Sequence, residues 1–380
     1  MENRLIAGLR GDRVIWMIIA LLSMASILAI YSATGTLAYK EHNGNTEFFL
    51  FKHIFILGIG LIFTYICYLM HYSKYSRIAP VLLLISIRLL LFAIAYGAET
   101  NQARRWIPIP IIDLTFQPSD FAKIALIIYV ARAISAKQDI IKDFNSAFLP
   151  IIVPILIICG LIAPANLSTA ILLFTTCIAM MFVGRVSAKY IILLLFCGIV
   201  VFAILIMMGQ FFPDIVRVNT WISRVRDFME NTEGGYQTQQ SQIAIAQGGW
   251  LGVGPGNSTQ RNYLPSPYAD FIYSIICEEY GLVGGFIILG LYILLFFRCV
   301  GIITRSPKAF GAMLVLGLGL LLTFQALINI AVSVHLVPVT GLNLPIVSMG
   351  GTSMIFSCIC FGIILSVSKH IDQTTRVQEE

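Results

Sequence analysis

The sequence predicts an all-α polytopic membrane protein of about ten transmembrane helices. Both termini are expected in the cytoplasm, and one large extracytoplasmic loop is expected between the seventh and eighth helices. Three observations carry this reading. Hydrophobic residues make up 58% of the 380-residue chain and charged residues only 12%, where a soluble domain carries about 25% charged residues. Mean hydropathy is correspondingly high, at +0.86. Apolar runs long enough to cross a bilayer, ~17–25 residues each, recur along the whole length, and Lys and Arg segregate between alternate loops.

The predicted spans are 14–31, about 49–70 and about 78–96, then a short one at 121–134. Spans 148–163 and 167–183 follow, separated by Pro164-Ala165-Asn166, and then 190–212, 271–297, 310–336 and 346–368. The first run is too long for a leader's apolar core and has no clear small-residue cleavage site after it, so it reads as a span. Arg13, Lys74, Arg77, Lys137, Arg185, Arg305 and Lys369 fall on one side, whereas the short loops of the other side hold only Lys40, Lys52, Arg104 and Arg105. The positive-inside rule makes the first side cytoplasmic. The long loop, about 213–269, then faces outward. The whole chain, 1–380, reads as a single integral membrane domain. Its net charge of +6 is a topology signal and no nucleic-acid footprint.

The eight cysteines lie in or beside apolar runs without a CxxC pair, and the five histidines are scattered. Neither set builds a disulfide framework or a metal cluster. No phosphate-binding loop or dinucleotide fingerprint occurs. Arg88 stands inside the third span with apolar neighbours on both sides. It lies far from the cytoplasmic end, so it is expected to face the bundle interior and an anionic partner.

The stretch 248–279 organises the rest. A glycine-rich turn (Gly248-Gly-Trp-Leu-Gly-Val-Gly-Pro-Gly-Asn257) leads to a Pro-containing turn that delivers Asp270 to the start of an apolar span. A carboxylate where loop meets membrane is costly to keep and invites a functional reading; a helix N-terminal acid would look the same. Ser274 and Glu278 follow at helical spacing on the same face. Three other outer features accompany it. The loop 97–117 carries Arg104-Arg105-Trp106 and closes on Gln117-Pro-Ser-Asp-Phe-Ala-Lys123, with Ser119 a candidate N-cap and Asp120 and Lys123 one turn apart. The arginines suit either lipid headgroups or an anionic ligand. Residues 214–228 show amphipathic spacing of an interfacial helix and lead to the Gln-rich stretch around Gln240. Residues 337–353 are broken by two prolines and three glycines, and irregular backbone at that depth must line protein or a wet cavity.

Four blocks, in order and at matching spacing, resemble the SEDS family of shape, elongation, division and sporulation proteins. They are Ala103-Arg-Arg-Trp106 with 117–123, then Tyr236 to Gly249, then 252–279 around Asp270, and Pro338 to Ser353. The chain departs from the family at Tyr268-Ala269, where His-Thr is usual, at Asn166, where an Asp is usual, and at Met349, where a Tyr is usual.

The resemblance implies a peptidoglycan glycosyltransferase of the bacterial cytoplasmic membrane that polymerises lipid II at the outer face, leaning to the division members. It implies Asp270 as general base and Lys123, Arg104 and Arg105 as cations for the pyrophosphate. Asp120, Glu278, Ser274 and Gln240 would support them. No metal ligands are assigned, although the family leaves room for a divalent cation, Mg or Mn. The implied partners are a class B penicillin-binding protein, divisome or elongasome proteins and membrane lipids, with no nucleic acid. A lipid II flippase or secondary transporter is the alternative from another class, though no paired interrupted helices appear; a non-catalytic scaffold is a third.

Overall fold

The computed structural model describes residues 11–41, 45–100, 103–109, 114–211, 218–229 and 235–379. Among them, the helices matching the ten expected spans are α1 (Arg13–Ala33), α3 (Thr46–Leu69), α4 (Ser73–Tyr96), α5 (Pro118–Ala136), α6 (Leu149–Ile162), α7 (Leu167–Val183), α8 (Ala188–Phe211), α11 (Ile272–Arg305), α12 (Ala309–Ser333) and α13 (Thr352–Glu379). Three more lie outside them: α2 (Gly35–Glu41), α9 (Val218–Met229) and α10 (Tyr236–Gly248). Seven helices are long and apolar enough to cross a bilayer by themselves, while α6 and α7 are shorter apolar helices. The molecule is an all-α polytopic membrane protein.

Burial separates centre from periphery. In α12, 78% of the apolar window is buried, against 11% in α8. An apolar helix buried all round belongs to the middle of a bundle, and one exposed all round meets lipid. Helix α5 is central too, with Ile124, Leu126, Ile127, Ile128 and Val130 all buried. Hydropathy shortened it because Asp120 and Lys123 interrupt the apolar run.

Apolar surface gains little by leaving lipid for protein, so close packing and hydrogen bonds hold the helices together. Helices α3 and α13 meet along a seam of small residues, Gly60 against Cys358 and Gly362 against Thr64. There the Thr64 hydroxyl donates to Cys358 O at 2.9 Å. At the far end Asp12 caps α1, accepting from Val14 N at 2.9 Å and Ile15 N at 3.2 Å. The same carboxylate takes Arg298 Nε and Nη2 at 2.8 and 2.5 Å, and the Asp12 N–H donates to Ser368 Oγ at 2.9 Å.

Several expectations are corrected. The loop 97–117 contains three short antiparallel strands in the order β1 (Ala98–Thr100), β2 (Ala103–Ile109) and β3 (Leu114–Phe116). Their pairing satisfies backbone groups that a bare loop would leave to water. Ser119 is not the cap of α5. Gln117 holds the N-cap position with Pro118 following, and the Ser119 hydroxyl accepts from Gln117 Nε2 at 2.8 Å. Arg88 does not face the interior: α4 is peripheral, and Arg88 lies on its exposed side, where a long side chain can run along the helix toward polar surroundings. The last span begins at Thr352 and not near 346, because 346–351 belong to the broken segment. The interfacial stretch is helical from Val218; residues 214–217 lie outside the described part.

Candidate functional site

The glycine-rich stretch has a structural target. Gly281, within α11, has φ 68° and ψ −172°, a region essentially restricted to glycine. The helix is broken there, and its ladder is rerouted to the loop. Val253 N donates to Glu278 O at 2.9 Å and Gly254 N to Glu279 O at 3.0 Å, while Leu282 N and Val283 N donate to Gly249 O and Trp250 O. Contact is backbone to backbone: a Cβ on Gly252 would stand 2.1 Å from Glu279 O, and one on Gly281 2.2 Å from Trp250 O.

Glu278 and Ser274 take their places in this framework. The Glu278 carboxylate accepts from Ser258 Oγ, from Thr259 N at 2.9 Å and Oγ1 at 3.1 Å, and from Gln260 N at 3.2 Å. It shapes the loop behind Asp270. Ser274 Oγ lies 2.5 Å from Ser241 Oγ, joining α11 to α10. Glu279 accepts from the Ser32 hydroxyl of α1, and Arg261 Nη1 donates to Ser32 O and Oγ at 3.2 and 3.1 Å.

Asp270 is half-buried in the turn just before α11. The broken segment between α12 and α13 grips this turn. Met349 N donates to Tyr268 O at 2.9 Å, Ser348 Oγ to Ala269 O at 2.6 Å, and Asn329 Nδ2 to Asp270 O at 2.8 Å. The segment itself is strained, since the β-branched Ile346 sits at φ 66°, an outlying conformation for such a side chain. Hydrogen bonds hold it from both sides: Tyr292 OH donates to Pro345 O at 2.5 Å and Ser26 Oγ to Val347 O at 2.9 Å.

Asp270 opens into a cavity of about 950 Å³. Its wall combines the β2–β3 region (Trp106, Thr115), the α6–α7 turn (Asn166), helix α9, Gln237 and the broken segment around Gly341. The charged side chains among its described lining are Asp270 and Arg224. From the sequence Arg224 is one of the arginines of the interfacial stretch 214–228, expected to meet an anionic lipid and not assigned to the pyrophosphate. The available signal was its place on the face of α9 shared with Trp221 and Val225, which also line the cavity. Helix α9 is anchored by Trp221 stacking on Phe202 of α8, with ring centroids 6.0 Å apart.

The other expected residues lie elsewhere. Lys123 pairs with Asp120 at 2.8 Å, both buried, and donates to Gln325 Oε1 at 3.4 Å; neither lines the cavity. Arg104 and Arg105 belong to β2 by backbone, and their side chains fall outside the described structure. From the Gln-rich stretch, Gln237 reaches the cavity, whereas Gln240 is half-buried and outside its lining. Asn166 Oδ1 caps α7 by accepting from Thr169 N at 3.1 Å. Among the described residues no three His, Cys, Asp or Glu side chains converge. With Asp270 the carboxylate among the described residues of the wall, this donor set does not by itself make a divalent-cation site.

The family model described as cell cycle protein, covering FtsW, RodA and SpoVE, matches residues 12–373. The chain belongs to the FtsW/RodA/SpoVE family. It is 32% identical over 366 residues to a probable peptidoglycan glycosyltransferase FtsW of Trichlorobacter lovleyi, covering 94% of this chain and 93% of that one. It is 30% identical over 365 residues to stage V sporulation protein E of Bacillus subtilis, covering 94% and 97%. In fold it is similar to a chain of a peptidoglycan synthase complex (TM-score 0.74, 24% identity, 96% and 99% covered). It is similar also to the rod shape determining protein RodA of Thermus thermophilus (TM-score 0.68, 22% identity, 96% and 98% covered).

Proposed function

We propose that this protein is a peptidoglycan glycosyltransferase that polymerises lipid II. The observation that carries the reading is a cavity whose charged side chains, among the described residues, are the carboxylate Asp270 and the cation Arg224, set in a wall of neutral polar groups and aromatic rings. That is the pairing glycosyl transfer from a pyrophosphate requires. Asp270 takes the proton of the acceptor sugar's hydroxyl as the oxygen attacks the anomeric carbon of the growing strand. The new glycosidic C–O bond forms as the bond from that carbon to the pyrophosphate oxygen breaks. The electron pair leaves with the lipid pyrophosphate, whose charge Arg224 holds, with Arg104 and Arg105 as further candidates. Lys123, paired with Asp120, serves the scaffold below the cavity.

The positive-inside bias supports a cavity opening on the outer face of the cytoplasmic membrane, where lipid II is presented. The relatives named FtsW support a division role, and the similarity to a synthase-complex chain supports a class B penicillin-binding protein as partner.

The test is polymerisation of lipid II by the purified protein with its cognate transpeptidase. Asp270→Asn is expected to lower the rate at least 100-fold while the protein remains folded and membrane-inserted. Undiminished polymer from that variant would refute the assignment, and lipid II translocation without polymer would favour a flippase.

A further inference from the structure

Apart from Thr323, the polar side chains of helix α12 form a ridge in its second half, Gln325, Asn329 and Ser333, spaced four residues apart. All three are buried. Amides inside a membrane bundle are expensive and are kept where they answer backbone groups that no helix satisfies. These do. Gln325 Nε2 donates to Asn343 O at 2.8 Å. Asn329 Nδ2 donates to Leu342 O at 2.7 Å and to Asp270 O at 2.8 Å. Ser333 Oγ donates to Asn329 O, and Ser333 O accepts from Ser241 Oγ. Asn329 is thus the point where the two irregular pieces of the site, the Asp270 turn and the broken segment, are tied to one regular helix.

The orientation of the amide is dictated by its partners. Both contacts are carbonyl oxygens, which only accept, so the NH2 end must face them. The other end, Oδ1, is buried without a hydrogen-bond partner among the described residues. Such an orphan carries a desolvation penalty, so the placement of the two donors, not full satisfaction of the side chain, is what this position serves. Three successive carbonyls, at 268, 269 and 270, are each held from outside their own turn. Two are held by the strained segment, and Asp270's by α12. Fixing the Asp270 peptide fixes the direction in which its carboxylate leaves the backbone, one side-chain torsion from the reacting proton.

We propose that Asn329 is a positioning residue for the general base: its amide holds the Asp270 carbonyl and the broken segment in register, so that the carboxylate meets the acceptor hydroxyl. Gln325 extends the same restraint to Asn343 and links it through Lys123 to Asp120. The inference rests on the glycosyltransferase reading of this site. Misplacement of a catalytic group by about 1 Å lowers a rate about 100-fold, while the Arg224 side of the cavity, on α9, takes no hydrogen bond from Asn329.

The experiment compares Asn329→Leu, which removes both donors without adding charge, with Asn329→Ser, which keeps one donor, and with Asp270→Asn. Initial polymerisation rates are measured against lipid II concentration for each protein with its transpeptidase partner, and folding is checked by thermal unfolding in detergent. Asn329→Leu is expected to lower kcat by about 10–100-fold with KM for lipid II within about threefold, and Asn329→Ser to fall between it and the native protein. Should the leucine variant not fold, the serine variant carries the same reading through its kcat. A folded variant with native kcat, or one in which KM alone rises, overturns the proposal. If Asp270→Asn is inactive while the Asn329 variants are native, only the positioning role fails. If Asp270→Asn is active, the reading of the site fails with it.

Discussion

Arg224 and Lys123 are both cations, and their surroundings give them different work. Arg224 lines the cavity with Asp270. A charge-assisted bond to a pyrophosphate is worth about 1.5–3 kcal/mol, so Arg224→Ala should lower kcat/KM for lipid II about 10–100-fold without changing the thermal unfolding midpoint by more than a few degrees. Steady-state kinetics on the reconstituted protein would check this. Lys123 is buried against Asp120, and removing one partner of such a pair is destabilising by about 3–5 kcal/mol. Lys123→Met should therefore unfold early, and the double variant Lys123→Met, Asp120→Leu should recover most of the loss and its polymerisation. A folded but inactive double variant would instead place the lysine in the chemistry. The sequence marks Lys123 as a cation for the pyrophosphate and places Arg224 only within an interfacial amphipathic stretch. Helical spacing says which residues share a face, and it does not say which face meets a cavity.

At the scale of elements, the break in α11 is the feature on which the outer loop depends. The glycine-rich run was legible as a turn. Its receptor, a second backbone 25 to 33 residues later, was not, because an apolar helix with an internal glycine reads as continuous. Gly281→Ala should cost about 1–3 kcal/mol from backbone strain alone, and the 2.2 Å approach to Trp250 O adds to it. The expected result is a lower unfolding midpoint and faster proteolysis of the 249–262 loop, with the remaining folded fraction still able to bind lipid II. An unchanged midpoint would mean that the loop does not stabilise the break. The segment 337–351 shows the complementary case. Its prolines and glycines announced irregular backbone, and the side chains that satisfy it come from two helices distant in sequence, through Ser26 and Tyr292, and from the helix just before it, through Gln325 and Asn329.

Over the whole molecule, the two ends of α11 carry opposite duties. Its start borders the cavity, and its far end closes the bundle through Arg298, Asp12 and Ser368. Asp12 also caps α1, so Asp12→Ala removes a cap worth ~1 kcal/mol and a hydrogen-bonded ion pair of similar or greater worth. Thermal unfolding in detergent should report a loss of about 2–3 kcal/mol, and Arg298→Ala a smaller one, because the cap survives. Equal losses from the two variants would show that the cap contributes nothing.

What the sequence determined by itself was the class: the order of the apolar spans, the place of Asp270 at the start of one of them, the irregular segment before the last helix and the family. Each follows from hydropathy, charge bias or local residue chemistry within a few turns of chain. Tertiary structure alone decided that Arg224 and Asp270 line one cavity, that Lys123 pairs with Asp120 outside its lining, that Arg88 lies on an exposed helix face and that Asn329 holds the Asp270 turn. Those outcomes depend on hydrogen bonds and packing between residues tens to hundreds of positions apart, and in an apolar bundle nearly every helix face looks alike until its neighbour is known.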